Sequence, residues 1–205
     1  MPAPSDRDLL QAWRAGDRVA GGLLFERHFD AVFRFFRNKL DADAEDLVQR
    51  TFTAAVEGRE RFREDSTFRT YLFGIAHNLL RERLRRKARD PAALDLDATS
   101  LVDLGQSPSS VLAARAEERL LLEGLRSIPL ASQVILELFY WEGFTGAELG
   151  DLLGVPEDTA RARLRKARRQ LEAAIRASEA TASARESTVS DLDRWAASVR
   201  AQIRR

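Results

Sequence analysis

The charged residues of this 205-residue chain are grouped by sign. Asp43, Glu45 and Asp46 form one acidic group, with Gln49 one helical turn further on. Residues 81–89 (RERLRRKAR) and 161–169 (RARLRKARR) are basic, and residues 90–103 return to acid. Clustered carboxylates can hold a metal for hydrolysis. Asp41 lies just upstream, but no histidine is beside the group in sequence, and a metal-dependent nuclease is set aside. Its simplest physical role is at a helix N-terminus, where the helix dipole stabilises negative charge, with an acidic face left outward. Dense arginines, by contrast, suit phosphates and guanine edges. The net charge is only +1. A chain that merely coats DNA would seldom carry such acidic blocks, whereas one that also touches a second, non-DNA partner can.

The second basic run needs a particular frame. Thr145 and Glu148 make a T-x-x-E capping box that opens a short helix carrying Leu149, Leu152 and Leu153. Gly154 can take the left-handed conformation that ends it, and Pro156 suits the first turn of the next helix. Ala160, Leu164, Ala167 and Leu171 recur at helical spacing there, and the other faces carry Arg161, Arg163, Arg165, Lys166, Arg168 and Arg169. A short helix, a tight turn and a basic second helix form a helix-turn-helix that fits the DNA major groove. The bland alternative is a solvated helical hairpin.

Upstream, Ser5 and Asp8 cap a short helix that Gly16 ends. A helix over about 17–40 buries Phe25, Phe29, Val32, Phe33, Phe36 and Leu40, with Gly21 and Gly22 weakening its first turn. A third starts near Asp43 and buries Leu47, Val48, Phe52 and Val56 before Gly58. After an arginine-rich connection, Ser66 caps a fourth, whose inner face is Phe68, Leu72, Ile75 and Leu79. Asp90-Pro91 breaks it, and a Ser-, Pro- and Asp-rich stretch follows. Ser109 or Ser110 caps a helix through Leu112, Leu120, Leu121 and Leu125. Another, about 131–141, carries Val134, Ile135, Leu138 and Phe139. A last helix from Ser190 bears Val189, Leu192, Trp195, Val199 and Ile203. That stripe either docks on its own chain or awaits a partner.

The expectation is an all-α protein of two small helical domains, 5–89 and 111–176. A flexible acidic linker, 90–110, joins them, and a C-terminal extension, 177–205, follows. The absence of cysteine excludes disulfides, thiolate zinc sites and cysteine nucleophiles, and with only His28 and His77 no histidine metal cluster is expected. No run approaches the roughly eighteen apolar residues of a membrane span, and the N-terminus lacks a signal-peptide layout. A cytoplasmic, cofactor-free, non-enzymatic protein with no membrane partner is expected.

The segments DAEDLVQ (43–49), RFREDSTFRTYL (61–72) and IAHNLLRERLRR (75–86) resemble the N-terminal domain of extracytoplasmic-function sigma factors. These are the small promoter-specificity subunits of bacterial RNA polymerase. LLGVPEDTARARLRKARRQL (152–171) is similar to the same family's C-terminal helix-turn-helix. The resemblance spans about residues 8–175 and implies a sigma region 2 followed by a sigma region 4. It implies that Asp43, Glu45, Asp46 and Gln49 grip core RNA polymerase. It also implies that the loop 61–67 receives a flipped base of the minus-ten element on the non-template strand. The loop has suitable parts: Phe62 as an apolar wall, Arg61 and Arg63 for phosphates, and Asp65, Ser66 and Thr67 as hydrogen-bonding groups. Asn78 matches a family position near that base, and His77 is read as a DNA contact without proton transfer. Tyr71 is open to either stacking or packing, whereas Phe68 lies on the apolar stripe and belongs to the core. Arg81, Arg85 and their neighbours Arg83, Arg86, Lys87 and Arg89 would follow the phosphate backbone.

In the second domain, Thr159, Arg161, Arg163, Arg165, Lys166 and Arg168 would meet the minus-thirty-five element, with Arg161 and Arg165 best placed for base edges. The chain departs from the family pattern at Arg50, which dilutes the acidic face, and at Ala160, Gly146 and Gly150, which loosen local packing. An anti-sigma or other regulatory protein is a family habit. A stand-alone helix-turn-helix regulator binding duplex DNA is the alternative, and it leaves residues 43–49 and 61–67 without a use.

Overall fold

A computed structural model describes residues 3–88, 92, 94–105 and 115–202. Among these there are ten α-helices and no strand beyond one isolated bridge between Ser100 and Pro129. No described helix is long and apolar enough to cross a membrane.

The first module is built from α1 (Asp6–Arg14), α2 (Arg18–Arg37), α3 (Ala44–Gly58) and α4 (Phe68–Lys87). Three of the four starts, those of α1, α2 and α4, carry a side-chain cap. Ser5 and Asp8 form a full capping box on α1, and Asp17 accepts from the Val19 and Ala20 N–H groups at 2.8 and 3.1 Å. For α4 the cap is Thr67, not Ser66: its hydroxyl accepts from the Thr70 N–H at 3.1 Å. Gly21 does not weaken α2. A Cβ there would lie 2.6 Å from the Trp13 indole, so the glycine is what lets α1 seat its tryptophan. Trp13, Phe25, Phe52 and Phe29 then run ring to ring through the core, with centroids 4.8–5.9 Å apart along the chain of contacts.

The second module comprises α5 (Ala116–Ser127), α6 (Leu130–Tyr140), α7 (Gly146–Leu153) and α8 (Glu157–Ala177). The expected Ser109 or Ser110 cap lies outside the described residues. Phe139, expected inside, is 37% exposed, and Trp141 and Phe144 fill the core instead. The extension folds as two helices, α9 (Ala182–Ser190) and α10 (Leu192–Gln202), against α5, α6 and α8. Arg185 donates to the Ser178 and Ala180 carbonyls beyond the end of α8. Leu192 and Ala196 are buried beside Leu121, Leu125 and Tyr140. The extension is thus docked on its own chain; the side chains of Trp195 and Val199, and Ile203 entirely, lie outside the described residues.

Two features depart from modules on a free tether. The connecting segment 94–105 is docked. Leu101 is fully buried, and Ser100 and Asp103 cap each other through hydroxyl, N–H and carboxylate. The Thr99 and Leu96 carbonyls accept from the Leu130 and Ala131 N–H groups at 2.9 and 3.1 Å. The linker backbone thereby satisfies the first donors of α6, whose N-cap, Pro129, has no side chain able to do so.

The modules also pack directly. Lys39 and Glu137 form an ion pair with side chains 0% and 2% exposed. The Asn38 and Gln133 amides each donate to the Glu137 carboxylate at 2.7 Å. Lys39 also donates to the Phe35 carbonyl at 2.7 Å and sits 4.1 Å from that ring's centroid. Burial pulls the Lys39 ammonium below its usual range, and Glu137 opposes that fall. Beside this pair, Arg34 holds Glu142 through two bonds of 2.9 and 3.1 Å. Phe73 of α4 meets Phe144 edge-on at 5.3 Å. Phe73 thus serves both modules; α4 also buries Ala76, Leu80 and Leu84, whereas Ile75 and Leu79 of the expected inner face are only half-buried.

Candidate nucleic-acid interface

The acidic group divides in two. Asp43 occupies the N-cap of α3 but makes no side-chain cap bond. Its carboxylate takes Arg83 at 2.5 Å and Lys87 at 2.6 Å. The Arg83 hydrogen bond, assisted by Lys87, holds it below the usual carboxylate range despite some desolvation. Asp43 is therefore a brace between α3 and α4, not part of an outward face. Glu45, Asp46 and Gln49 are exposed and do form that face. Arg50 does not dilute it, because its guanidinium turns to Glu82 on α4 at 3.3 Å.

The loop between α3 and α4 is compact. Arg61, Arg63 and Asp65 are exposed, and Ser66 is half-buried. The Thr67 hydroxyl is engaged as the α4 cap, although the residue stays at the surface. Phe62 stacks on Tyr71 with centroids 4.5 Å apart and planes 19° from parallel. Phe68 is 4% exposed and lies beneath both. Tyr71 is thus half-buried: packed on one face and bordered by Arg61 and Arg14 charge. Gly58 makes room for it, since a Cβ there would sit 2.2 Å from the Tyr71 hydroxyl.

Along α4, Asn78, Arg81 and Arg85 share one surface groove with Glu82 and Arg86. Arg86 is drawn to Glu82, and Arg83 and Lys87 are committed to Asp43. Of the predicted backbone-following cations that line this groove, Arg86 is paired with Glu82, which leaves Arg81 and Arg85 beside it; Arg89 lies outside the described residues. His77 is half-buried at the edge of a cleft of about 240 Å³ between the modules. Arg81 and Arg85 line the same cleft from α4, Arg163 from α8, and Asp95 and Asp97 from the linker. Burial first, then the Arg81 and Lys39 charges, push the His77 imidazole down to about 4. It is neutral at physiological pH, a hydrogen-bonding group and not a charge.

The helix-turn-helix is α7 and α8. Its capping box is complete: Thr145 accepts from the Glu148 N–H at 3.2 Å, and Glu148 accepts from the Thr145 N–H at 2.9 Å. Gly154 is left-handed at φ +65°. The two glycines read as loosening the packing tighten it. A Cβ at Gly150 would stand 2.8 Å from the Val155 carbonyl, and one at Gly146 would press on Arg161 and Glu157. Ala160 of α8 is fully buried. Thr159, Arg161, Arg163, Arg165, Lys166, Arg168 and Arg169 are all exposed. Arg161 is paired with Glu157 and Arg168 with Glu172, each one turn away. Such exposed pairs contribute little to stability and exchange readily for phosphate.

Two arginines at these elements escape a sequence reading. Arg69 donates to the Glu142 carbonyl and to Glu148, both at 2.8 Å, and lies 4.4 Å from the Phe144 ring centroid. It ties α4 to the mouth of the helix-turn-helix. Arg14 reaches from α1 to the loop that follows α3. In both cases backbone carbonyls are among the acceptors, two of three for Arg14 and one of two for Arg69, and these leave no mark in sequence. Among the described residues no group of three or more His, Cys, Asp or Glu could hold a metal ion.

Known proteins match both halves of this arrangement. The Sigma-70 region 2 family model covers residues 24–90, and Sigma-70, region 4 covers residues 118–171. The ECF RNA polymerase sigma factor SigM of Mycobacterium tuberculosis is 31% identical over 166 residues, 80% of this chain and 81% of that protein. RNA polymerase sigma factor NccH of Alcaligenes xylosoxydans is 31% identical over 174 residues, 82% of this chain and 94% of NccH. Among solved structures, CnrH in complex with the cytosolic domain of CnrY has a TM-score of 0.60 at 24% identity, covering 85% of this chain and 99% of CnrH. The sigma factor RpoE of Bartonella quintana, solved with the anti-sigma factor NepR, has a TM-score of 0.55 at 21% identity, covering 77% of this chain and 95% of RpoE. At those identities the two structures speak to the fold.

Proposed function

The chain belongs to the extracytoplasmic-function sigma factors of RNA polymerase, and we propose that it directs promoter-specific initiation with the residues described above. Glu45, Asp46 and Gln49 dock core polymerase. The loop 61–67, with Phe62 as a wall against Tyr71, receives an unstacked base of the minus-ten element. Unstacking costs a few kcal/mol, which the loop and its flanking cations return on binding. Asn78, Arg81 and Arg85 carry the phosphate backbone past that loop, and His77 offers a neutral hydrogen-bonding edge beside them. From the second module, Arg163, Arg165 and Lys166 present their cations to the minus-thirty-five groove, and Arg161 and Arg168 join when they release Glu157 and Glu172. The division into residues 5–89, 90–110, 111–176 and 177–205 follows these roles. The reaction chemistry belongs to polymerase and the site of action is the cytoplasm. A regulatory protein of the anti-sigma kind is a further partner of this reading.

One observation carries it. Among the described residues the chain holds two separate exposed basic surfaces, on α4 and on α8, and an exposed acidic face at Glu45, Asp46 and Gln49. A stand-alone helix-turn-helix regulator has use for only one of the three. In vitro transcription with core polymerase on a genomic promoter library tests it. New, reproducible start sites are expected only when both proteins are present. Tight binding to a duplex operator without polymerase, and no new start sites with it, would replace this reading with the regulator.

A further inference from the structure

Arg14 ends α1, ten residues before the region 2 match begins at residue 24. Its guanidinium is spent wholly on the loop after α3. Nε and Nη2 donate to the Arg59 carbonyl at 3.0 and 2.8 Å, Nη2 also donates to the Phe62 carbonyl, and Nη1 meets the Glu64 carboxylate at 2.5 Å. The group lies 5.9 Å from the Phe62 ring centroid. Glu64 is the one described non-glycine residue with positive φ, at +60°. Arg7, also from α1, stands at 3.4 Å from its carboxylate. The carbonyls at the end of a helix lack intrahelical donors. Here Gly58 accepts from the Arg61 and Phe62 N–H groups, and Arg14 takes the next turn of the chain. A single planar fork thus fixes three acceptors across residues 59–64, a geometry that a lysine ammonium, as a point charge, cannot reproduce.

From this convergence we infer that Arg14 is the positioning residue of the base-receiving loop, and that α1 is part of the promoter-melting apparatus. The inference rests on the reading that residues 61–67 accept an unstacked base. Arg14 touches no DNA in this role. It holds the Phe62 wall against Tyr71 and keeps Arg61, Arg63 and Asp65 facing outward before the strand arrives. A loop ordered in advance does not lose that freedom on binding, so its benefit appears as affinity for the captured base.

The test uses holoenzyme reconstituted from core polymerase and the full chain, as wild type and as Arg14→Ala, Arg14→Lys and Glu64→Gln. The probe is a single-stranded non-template oligonucleotide from a promoter the wild-type holoenzyme selects, intact and with abasic sites placed singly along its minus-ten element. Wild type should lose about tenfold or more in affinity at one abasic position. Arg14→Ala should bind the intact strand about as weakly as wild type binds that abasic strand, and lose little more when the base is removed. Arg14→Lys should behave like Arg14→Ala, and Glu64→Gln should fall between, carrying the test if Arg14→Ala does not fold. If the variants lose equal factors on intact and abasic strands, Arg14 merely supports the fold and the inference fails. If wild type is indifferent to every abasic site, the base-capture reading fails with it, and the two failures are told apart by the wild-type data alone.

Discussion

Replacing Lys39 by methionine should destabilise the protein by about 3–5 kcal/mol, the cost of stranding one member of a buried ion pair. The figure follows from the surroundings. Glu137 is 2% exposed and would keep the Asn38 and Gln133 amides as neutral donors, each at 2.7 Å, with Arg126 as a nearby cation. Against a total stability of roughly 5–15 kcal/mol this is a large fraction. The companion Glu137→Gln variant retains an acceptor for both amides but leaves the ammonium without its counter-charge, at a similar cost. Combining the two removes both charges and orphans one amide group, so the double variant should lose only about 1–3 kcal/mol. The singles would therefore fail to add by several kcal/mol. Urea unfolding followed by tryptophan fluorescence measures all three, because Trp13 and Trp141 are buried in different modules. The single variants should also split the transition in two, since the damage lies between the modules and not inside either. Additive losses, or a Lys39→Met cost below about 1 kcal/mol, the range of an exposed pair, would refute the buried seam.

Four further outcomes are expected. Stability should fall as pH drops from 6.5 toward about 4, because over that window the unfolded chain binds a proton that buried His77 refuses, and should be unaffected by this group above 6.5. Urea titrations at several pH values should show a flatter profile for His77→Gln; an identical slope would place the histidine in water. Glu45→Ala with Asp46→Ala should weaken co-purification with core polymerase at unchanged melting temperature, whereas Asp43→Ala should cost roughly 1 kcal/mol of stability by freeing Arg83 and Lys87. Arg165→Ala should relax preference at one upstream base by about 1–3 kcal/mol, read by a base-substitution scan of the minus-thirty-five element, and an unmoved preference removes it from the reading set. Leu192→Ala should destabilise the second module by about 2–3 kcal/mol in thermal unfolding, since this side chain at the start of α10 is 3% exposed against α5 and α6; a silent substitution would make the extension a loose appendage.

Local signals in the sequence carried most of the helices. The Ser5–Asp8 and Thr145–Glu148 boxes, the Gly154 turn and the stripe of Ala160, Ala167 and Leu171 each act within a few residues, so spacing alone reveals them. What stayed hidden acts over long separations or through the backbone. Glu137 sits in LASQVILELFY, a run that reads as an apolar helix, and its cationic partner lies 98 residues away. Phe73 sits off the main stripe of its helix, because it faces Phe144 of the other module as well as Phe35 of its own. The docking of residues 94–105 depends on the Leu96 and Thr99 carbonyls, which every residue type possesses. The exposed cations of α8 were legible as a set, but not their division between those already paired within the helix and those left to face outward. Gly146 and Gly150 looked like weaknesses because sequence shows propensity and not the proximity of a neighbouring backbone.

Greasy faces, once parted, present area that water penalises and that adheres to other greasy surfaces. The boundary between these modules instead carries the ion pairs Lys39–Glu137, Arg34–Glu142 and Arg69–Glu148 beside the Phe73–Phe144 contact. Ions that lose one another at such a boundary recover hydration, so pulling the halves apart leaves each with a wettable flank and little tendency to clump.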